Sequence, residues 1–396
     1  MTKKIGCVIA YTPGHTNYGT SLVGYALLKK IQMLGFDVEV INYIKRLTNC
    51  QKITFIINAL RAGELKELLR RARKNKDMIE HPDYASNIRI RVDAVEAYKN
   101  KKLIPYFRNY VGYDNLHRGS KNYDTIVVGS DQVWTPMSLP NRFYNLLFVD
   151  DRVHKVAYAS SFGVSIIPSF QKKKTGAYLD RFYRIGVREQ KGKDIVETLS
   201  HQKATVVADP TMLLNAKEWE DEIFHDDING FEVPNEPYIF SYFLGTNPES
   251  RTATDILKNK TGLKIISLRH MDEYYEEDEK FGDYAPYDVD PNGFLRLIHE
   301  AKYVCTDSFH CTAFCVQFHK QFMTFYRFAQ SSSIGRNSRI DSLFNVLGMH
   351  RERIYGSREN GNDIFKITNA IDWDYVDRNL MKLRDDSVEF LKRSLE

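Results

Sequence analysis

The sequence has 396 residues, of which 43% are hydrophobic and 27% are charged. That length exceeds what one ordinary core organises, so we expect two domains of about 150–200 residues each. The composition excludes a largely disordered chain. The formal net charge of +5 is a mild excess, and we expect no nucleic-acid partner.

The number of cysteines and the lengths of the apolar runs indicate the cellular compartment in which the protein works. Five cysteines are an odd number in a large chain, which favours reduced thiols over a disulfide framework. The apolar run Ile5–Ala10 is too short for a signal peptide, and no run of about 20 apolar residues is present to span a membrane. We therefore expect a cytoplasmic protein that can also work peripherally at the inner face of the membrane.

In chain order, the first elements form a strand–helix–strand unit. Ile5–Tyr11 is a predicted strand, Ser21–Leu34 has helical spacing, and Asp37–Tyr43 is the next strand. Such a unit implies a parallel sheet with a right-handed crossover. Residues 54–115 are predicted to be an insertion of helices and loops. A helix at Phe170–Phe182 and four more strands complete the first domain: Thr125–Gly129, Val153–Ser160, Tyr183–Val187 and Ala204–Val207.

A second α/β pattern follows a polar stretch, His225–Pro237, which is the predicted linker. Its predicted strands are Tyr238–Phe243, Lys264–Leu268, Tyr303–Thr306 and Phe322–Tyr326, and its helices are Glu249–Lys260, Asn292–His299 and His310–Phe318. We therefore predict an α/β fold with domains at residues 1–230 and 237–374. Residues 375–396 are predicted to form a helix that packs back on the first domain.

A basic run lies inside the predicted insertion. Residues 61–76 contain Arg61, Lys66, Arg70, Arg71, Arg73, Lys74 and Lys76. A solvated helix face explains such a run. Attraction to an anionic membrane surface or to a pyrophosphate-linked substrate is the alternative.

Polar clusters follow several predicted strands, at the sheet edge where ligands bind in α/β domains. The loop Pro13–Gly19 leads into a helix whose free N–H groups could hold a phosphate or a sugar hydroxyl, although an ordinary tight turn fits as well. In the second cluster, Asp131 and Gln132 could bind neighbouring sugar hydroxyls and Trp134 could stack on a sugar face. The alternative is a helix start capped by Ser130 or Asp131.

The third and fourth clusters carry a cation and an imidazole. Arg188 follows a strand, and its planar fork suits carboxylate or phosphate, with a surface pairing to Glu189 as the alternative. His310 begins a helix after a strand, within Thr306–His310. A helix N-terminus lowers the proton affinity of an imidazole, so His310 is a candidate acid or base, or else a structural histidine.

A possible metal site competes with these clusters. Cys311, Cys315 and His319 lie four residues apart, so a helix would align them as zinc ligands. No fourth ligand is visible, and the apolar residues between them favour buried thiols. We therefore expect no metal.

Taken in order, the clusters resemble the polysaccharide pyruvyl transferase family over roughly residues 5–355. The segments that carry the resemblance are Asn17-Tyr18-Gly19, Gly129-Ser130-Asp131-Gln132-Val133-Trp134, Val187-Arg188-Glu189, Thr306-Asp307-Ser308-Phe309-His310 and Gly335-Arg336-Asn337-Ser338-Arg339-Ile340. The resemblance implies two Rossmann-like domains facing a central cleft, similar to the GT-B glycosyltransferases. Residues 1–230 would form the acceptor side and residues 237–374 the donor side.

The resemblance also implies a reaction. Two hydroxyls of one sugar add to the pyruvyl carbon of phosphoenolpyruvate, phosphate leaves, and a cyclic ketal remains on a precursor of an exopolysaccharide or capsule. The implied partners are phosphoenolpyruvate and a glycan or lipid-linked sugar, with no metal or redox cofactor.

By resemblance, Arg188 holds the donor, and His310 contacts its phosphate or acts as general acid. We take Asp131 as the second catalytic candidate. The acceptor-side candidates are Asn17, Tyr18, Ser130, Asp131, Gln132 and Trp134. Many family members carry Arg where this chain has Ser308. The donor-binding candidates, besides Ser308 itself, are therefore Arg327, Arg336 and Arg339, with Arg327 and Arg339 favoured and with Arg269 and His270 as further alternatives.

Two other functions remain open at this point. A GT-B-like glycosyltransferase would use a nucleotide sugar as donor. A non-catalytic glycan-assembly protein on the same fold would bind the donor without turnover, and Ser308 in place of Arg is its support.

Overall fold

A computed structural model of the protein describes residues 3–45, 57, 65–129, 131–225, 228, 230–327 and 338–396. The described residues form two parallel sheets with helices packed on them. The strands are β1 Lys4–Val8, β2 Asp37–Ile44, β3 Phe107–Val111, β4 Thr125–Val128, β5 His154–Ser160, β6 Arg184–Val187, β7 Ala204–Val206, β8 Tyr238–Tyr242, β9 Lys264–Ser267, β10 Tyr303–Thr306, β11 Phe322–Phe325 and β12 Ile354–Tyr355.

The α-helices of the described residues alternate with these strands. They are Tyr18–Met33, Leu65–Glu80, Pro82–Lys102, Tyr113–Ser120, Ser169–Leu179, Gln190–Leu199, Ala216–His225, Pro248–Thr261, Pro291–Glu300, Phe309–Gln317, Ser338–Leu347 and Trp373–Leu395. The helix Tyr18–Met33 begins three residues earlier than predicted. Its start is set by Asn17, whose side chain accepts a hydrogen bond from the Thr20 amide at 3.2 Å.

The strand orders define where ligands can enter. The first sheet runs β3-β2-β1-β4-β5-β6-β7, so the chain winds outward from β1 and then returns to β4 on the other side of β1. The second sheet runs β12-β11-β10-β8-β9, with the same kind of reversal between β8 and β10. A crevice opens at the carboxyl ends of the strands wherever the order reverses. The two Rossmann-like domains turn these crevices toward a shared cleft, which is the GT-B-like arrangement that was predicted.

The predicted insertion at 54–115 needs a correction, because it contains strand β3. Phe107–Val111 pairs in parallel with β2 at the edge of the first sheet, with Val40 opposite Phe107. An edge strand is half solvated, and the polar residues Arg108 and Asn109 conceal it from a search for buried apolar runs.

Aromatic packing joins the two domains. Tyr18 stacks on Phe294 with ring centroids 4.7 Å apart, and its hydroxyl donates to the carbonyl of Val289 at 3.0 Å. Trp219 of the first domain meets Phe314 of the second edge-on at 5.2 Å. Because these rings are buried together, the apolar core is continuous between the two domains.

The C-terminal helix Trp373–Leu395 lies against the first domain. Its Ser387 hydroxyl accepts from the amide of Ala208 at 2.8 Å, and Arg384 donates to the carbonyl of Met212 at 2.8 Å. The helix therefore ties the end of the chain to the segment that follows β7.

Part of the basic run at 61–76 lies outside the described residues, as does Cys50. Where side chains are described, Arg73 pairs with Asp77 at 4.0 Å and Lys76 with Glu80 at 3.3 Å, so carboxylates one turn along the helix offset these two cations. Among the helices that the structure describes, none is long and apolar enough to cross a membrane.

Candidate active site

A cavity of about 310 Å³ opens between the domains at the carboxyl ends of both sheets. Its lining residues come from the loops after β1, β4, β8, β10 and β11, from the first turns of the helices Tyr18–Met33 and Phe309–Gln317, and from the helix Ser338–Leu347. They are Ala10, His15, Asn17, Thr20, Asp131, Gln132, Val133, Ser138, Tyr144, Leu244, Ser308, Phe309, His310, Arg327 and Arg339. Both reversal points of the two sheets therefore contribute to one cavity.

A buried carboxylate anchors the wall of this cavity. Asp209 follows β7, and its Oδ2 lies 2.8 Å from Nη1 of Arg188 and 3.6 Å from Nε2 of His310. Its Oδ1 accepts from both the amide and the hydroxyl of Thr211, at 3.0 and 2.8 Å. Burial acts to raise the pKa of Asp209, but His310 and Arg188 outweigh it and hold that pKa well below its usual range. Asp209 is therefore an ionised partner for both groups.

His310 is positioned by elements of both domains. It lies in the first turn of the helix Phe309–Gln317, whose N-cap is Ser308, with the Ser308 hydroxyl accepting from the Cys311 amide at 3.4 Å. The imidazole reaches across the cleft to Asp209 and lies directly against Gly19 of the first domain. The ring is therefore held only while the two domains are packed together.

The close approach at Gly19 yields a test. A Cβ on Gly19 would lie 2.2 Å from Nδ1 of His310, which is too short for any contact, so Gly19→Ala must displace the imidazole. We expect this variant to lose catalytic activity while the free energy of unfolding falls by only about 1–3 kcal/mol. Activity and urea unfolding should be measured beside Gly24→Ala in the same helix, where Ile9 is the neighbour. Equal activities in the two variants would contradict the placement of His310.

Asp131 stands where β4 ends, in a strained backbone conformation with φ of 87°. Its Oδ2 accepts from the hydroxyl of Thr20 at 2.8 Å, and its Oδ1 lies 4.0 Å from Nη2 of Arg188. Burial acts to raise the pKa of the carboxyl, yet Arg188 and His310 lower it by more, so the net pKa lies below the usual value. Asp131 therefore faces the cavity as an anion.

Arg188 lies behind the cavity wall, with a side chain only 2% exposed. Three carboxylates surround it: Asp209 at 2.8 Å, Glu189 at 3.7 Å and Asp131 at 4.0 Å. Its guanidinium also lies over the ring of Phe309, 4.9 Å from the centroid. This placement corrects the prediction of a direct donor clamp, because the charge of Arg188 is already balanced by the acids that it holds together.

Two other predicted arginines do line the cavity. Arg327 follows β11, and its Nη2 donates to the carbonyl of Asp307 at 3.1 Å. Arg339 comes from the helix Ser338–Leu347 and reaches Gln132 across the cleft. With the amide oxygen of Gln132 turned toward it, that oxygen accepts from Nη1 and Nη2 at 3.1 and 2.8 Å. Burial, together with the like charges of Arg188 and Arg327, lowers the pKa of Arg339 to about 10.

Asp307 and Ser308 make structural contacts within the second domain, and the cation at this point comes from another strand. Asp307 uses both carboxylate oxygens on the end of β8, accepting from the amides of Leu244 and Gly245 at 2.7 and 2.8 Å. Ser308 caps the following helix and also lines the cavity. Arg327, which lies 3.5 Å from Oδ1 of Asp307, brings a cation to this point from the neighbouring strand.

Some of the residues predicted for the acceptor side line the cavity, and others are buried away from it. Asn17 and Gln132 line the cavity. Trp134 does not: its ring is fully buried and its indole N–H donates to the carbonyl of Tyr144 at 2.9 Å, so it cannot stack on a sugar. Tyr18 is likewise buried in the interdomain core. Two further candidates, Ser130 and Arg336, lie outside the described residues.

Sequence reasoning missed Asp209 and gave no role to Thr20, His15 or Tyr144. Asp209 directly follows the predicted strand Ala204–Val207, so the rule that ligands meet strand ends would have found it. Burial lowers the pKa of the His15 imidazole, although the negative charge of Asp272 acts against this. His15 therefore adds, to the cavity wall formed by the first domain, an imidazole ring that favours its neutral form.

Of the three residues considered as zinc ligands, the two cysteines are buried and the histidine is exposed. Cys311 and Cys315 are buried free thiols in the second domain. The His319 side chain is 47% exposed and pairs with Asp377 at 3.0 Å. Among the described residues, no group of three or more His, Cys, Asp and Glu side chains could hold a metal ion.

Comparisons with known proteins show the family and the fold of the chain. The family model described as polysaccharide pyruvyl transferase matches residues 17–327. No curated protein matches the chain. A UDP-GlcNAc 2-epimerase from Neisseria meningitidis bound to UDP-GlcNAc is similar with a TM-score of 0.52 and 9% identity, covering 99% of both chains. A UDP-GlcNAc 2-epimerase from Methanocaldococcus jannaschii has a TM-score of 0.50 and 12% identity, covering 92% of this chain and 91% of the other. At these identities the likeness concerns the fold alone, and the predicted fold class is confirmed.

Proposed function

The chain belongs to the polysaccharide pyruvyl transferase family, and we propose that it moves the pyruvyl group of phosphoenolpyruvate onto two hydroxyls of one sugar in a polysaccharide precursor. The observation that carries this proposal is the clustering of Arg327 and Arg339 opposite His310 and Asp131 in one cavity. Two guanidiniums suit a donor that bears both a phosphate and a carboxylate.

The electrostatics of the cavity favour an anionic donor. Arg339 is half-buried next to Arg327, and the repulsion between them contributes to the pKa of about 10. A ligand carrying two anionic groups would relieve that repulsion, since each guanidinium could make a charge-assisted pair. The second domain, which carries Arg327 after β11 and Arg339 on the helix Ser338–Leu347, is therefore the donor side of the proposal.

The reaction requires a proton at the methylene carbon and the loss of two hydroxyl protons. In the proposed sequence, His310 protonates the methylene carbon, which leaves an oxocarbenium-like centre at the pyruvyl carbon. Asp131 receives the proton of the attacking hydroxyl, and phosphate leaves when the second hydroxyl closes the ketal. Of the two hydroxyl protons, one replaces the proton delivered to carbon and the other leaves with phosphate, so the step balances.

The acceptor would approach from the first domain. Asn17, Asp131 and Gln132 offer amide and carboxylate groups for hydroxyls on that wall. Asp131 is already bonded to Thr20, so its free oxygen positions are limited and the orientation of the sugar is restricted. A lipid-linked sugar working at the inner face of the membrane is the acceptor we propose.

The proposal is tested by incubating the protein with phosphoenolpyruvate and a panel of lipid-linked or reporter-linked galactosides and mannosides. Phosphate release and the mass of the sugar product are followed together. We expect phosphate release to require the acceptor and the product to gain a pyruvyl group. If calorimetry shows that the protein binds a nucleotide sugar but does not bind phosphoenolpyruvate, a glycosyltransferase is favoured instead.

Arg339→Met tests the donor side. We expect phosphoenolpyruvate to bind about 10- to 100-fold more weakly, because a charge-assisted hydrogen bond is lost from a partly buried site. Calorimetric titration with phosphoenolpyruvate measures this directly. The matched control is Arg351→Met, which removes a more exposed arginine, paired with Asp341 at 2.9 Å. Unchanged affinity in Arg339→Met would remove this arginine from the donor site.

A further inference from the structure

An exposed apolar and basic surface lies beside the cleft on the first domain. Ile166 and Phe170 are 71% and 48% exposed, in and just after the loop that leads into the helix Ser169–Leu179. Gln171, Thr175 and Leu179 face the protein interior, so Phe170, Lys173 and Lys174 point outward together at helical spacing. One helix face therefore presents an aromatic ring and two lysines to solvent.

The neighbouring helix extends the positive charge. The helix Gln190–Leu199 packs beside Ser169–Leu179 and starts at the same edge of the sheet. The N-terminal turns of the two helices carry Lys172, Lys173, Lys174, Lys191 and Lys193. Asp194 is the exposed carboxylate among them, and it lies 3.7 Å from Lys191. The surface is thus apolar at its tip and cationic around it.

The surface adjoins the wall of the cavity. Gln171 donates to the carbonyl of Pro136 at 2.9 Å, next to the cavity-lining Ser138. In the loop before the helix, Gly163 lies directly against the side chain of Gln132. Whatever binds this surface would therefore hold the mouth of the cleft close to itself.

We propose that the surface formed by Ile166, Phe170 and Lys172–Lys174 docks the protein on an anionic lipid bilayer. A bilayer interface offers an apolar layer for the two exposed side chains and negative headgroups for the lysines around them. A nucleic acid would meet the charge but would leave Ile166 and Phe170 against phosphates. In the basic run at 61–76, carboxylates offset Arg73 and Lys76, so we take the surface at Ile166 to Lys174 as the membrane-facing candidate among the described residues.

The test is co-sedimentation with vesicles of mixed phosphatidylcholine and phosphatidylglycerol, compared with phosphatidylcholine alone. We expect binding only to the mixed vesicles, and weaker binding as salt is added. Lys173→Glu with Lys174→Glu should weaken binding at least about 25-fold, since each lysine near an anionic surface contributes roughly fivefold. Ile166→Ser with Phe170→Ser should weaken it roughly tenfold.

Controls come from exposed residues on other surfaces. Phe224→Ser removes a phenyl ring that is 51% exposed, and Lys260→Glu reverses an exposed charge on the second domain. A thermal unfolding curve is recorded for every variant to establish that the variant is folded. Phe170→Trp should shift its fluorescence to shorter wavelength on adding mixed vesicles, and Phe224→Trp should not.

Wild-type protein that stays in solution with mixed vesicles overturns the proposal, and so does equal loss of binding in the surface variants and their controls. The measurement uses no substrate. Its outcome is therefore separate from that of the pyruvyl-transfer assay.

Discussion

Replacing His310 with Gln is expected to lower kcat for acceptor-dependent phosphate release by about 10²–10⁴-fold, the contribution typical of a positioned acid or base. The amide has a similar reach but cannot carry a proton to the methylene carbon. Asp209 and Gly19 hold the ring from the first domain, so the ring position is preset before the donor enters. A loss in kcat with donor affinity retained would assign His310 to chemistry.

The measurements are steady-state phosphate release and calorimetric binding of phosphoenolpyruvate. The matched control is His319→Gln, two residues beyond the last residue of the same helix, where the ring is 47% exposed and pairs with Asp377. That variant should keep wild-type activity. If His310→Gln releases phosphate as fast as His319→Gln, His310 has no catalytic role and the proposed sequence of proton transfers fails.

Replacing Arg188 with Met is expected to lower the free energy of unfolding by about 3–5 kcal/mol, because it leaves buried carboxylates without their cation. Asp209, Glu189 and Asp131 all lie within 4.0 Å of the guanidinium. Arg188→Lys keeps the positive charge, so its free energy of unfolding should fall by less than that of Arg188→Met. Chemical denaturation at neutral pH measures both, with Arg152→Met on the surface as the control.

The pH dependence of Arg188→Met has a defined sign. In the wild type, the pKa of Asp209 is held below the 3.8 of an ordinary carboxyl, so its stabilising effect is present above that pH and is lost as the pH falls below it. In the variant the lowering effect of Arg188 is gone, so the pKa of Asp209 lies higher than in the wild type, although His310 still lowers it. The stability difference between the two proteins should therefore narrow once the pH falls below about 4, where protonation relieves the charge that Arg188 had balanced. A difference that stays constant would show that the carboxylates do not depend on Arg188.

Local patterns predicted most of the strands correctly, since a buried parallel strand is a short apolar run and each helix follows with its own period. The same reasoning found polar residues at the strand ends, including Asp131 and His310. It missed β3, whose polar residues suit a sheet edge. It also misplaced Trp134, because an aromatic residue after a strand can face either the ligand or the core.

The sequence by itself determined two parallel-sheet domains, their family and which strand ends carry polar side chains, because these depend on neighbours along the chain. Only the tertiary structure decided which of those ends meet. Asp209 and His310 are 101 residues apart in the sequence, and no local pattern records that the domains pack so that their side chains face each other. In the packed structure Arg188 lies behind the cavity wall, whereas Arg327 and Arg339 line the cavity. Which arginine lines the cavity depends on burial and charge balance, and both are properties of the assembled fold.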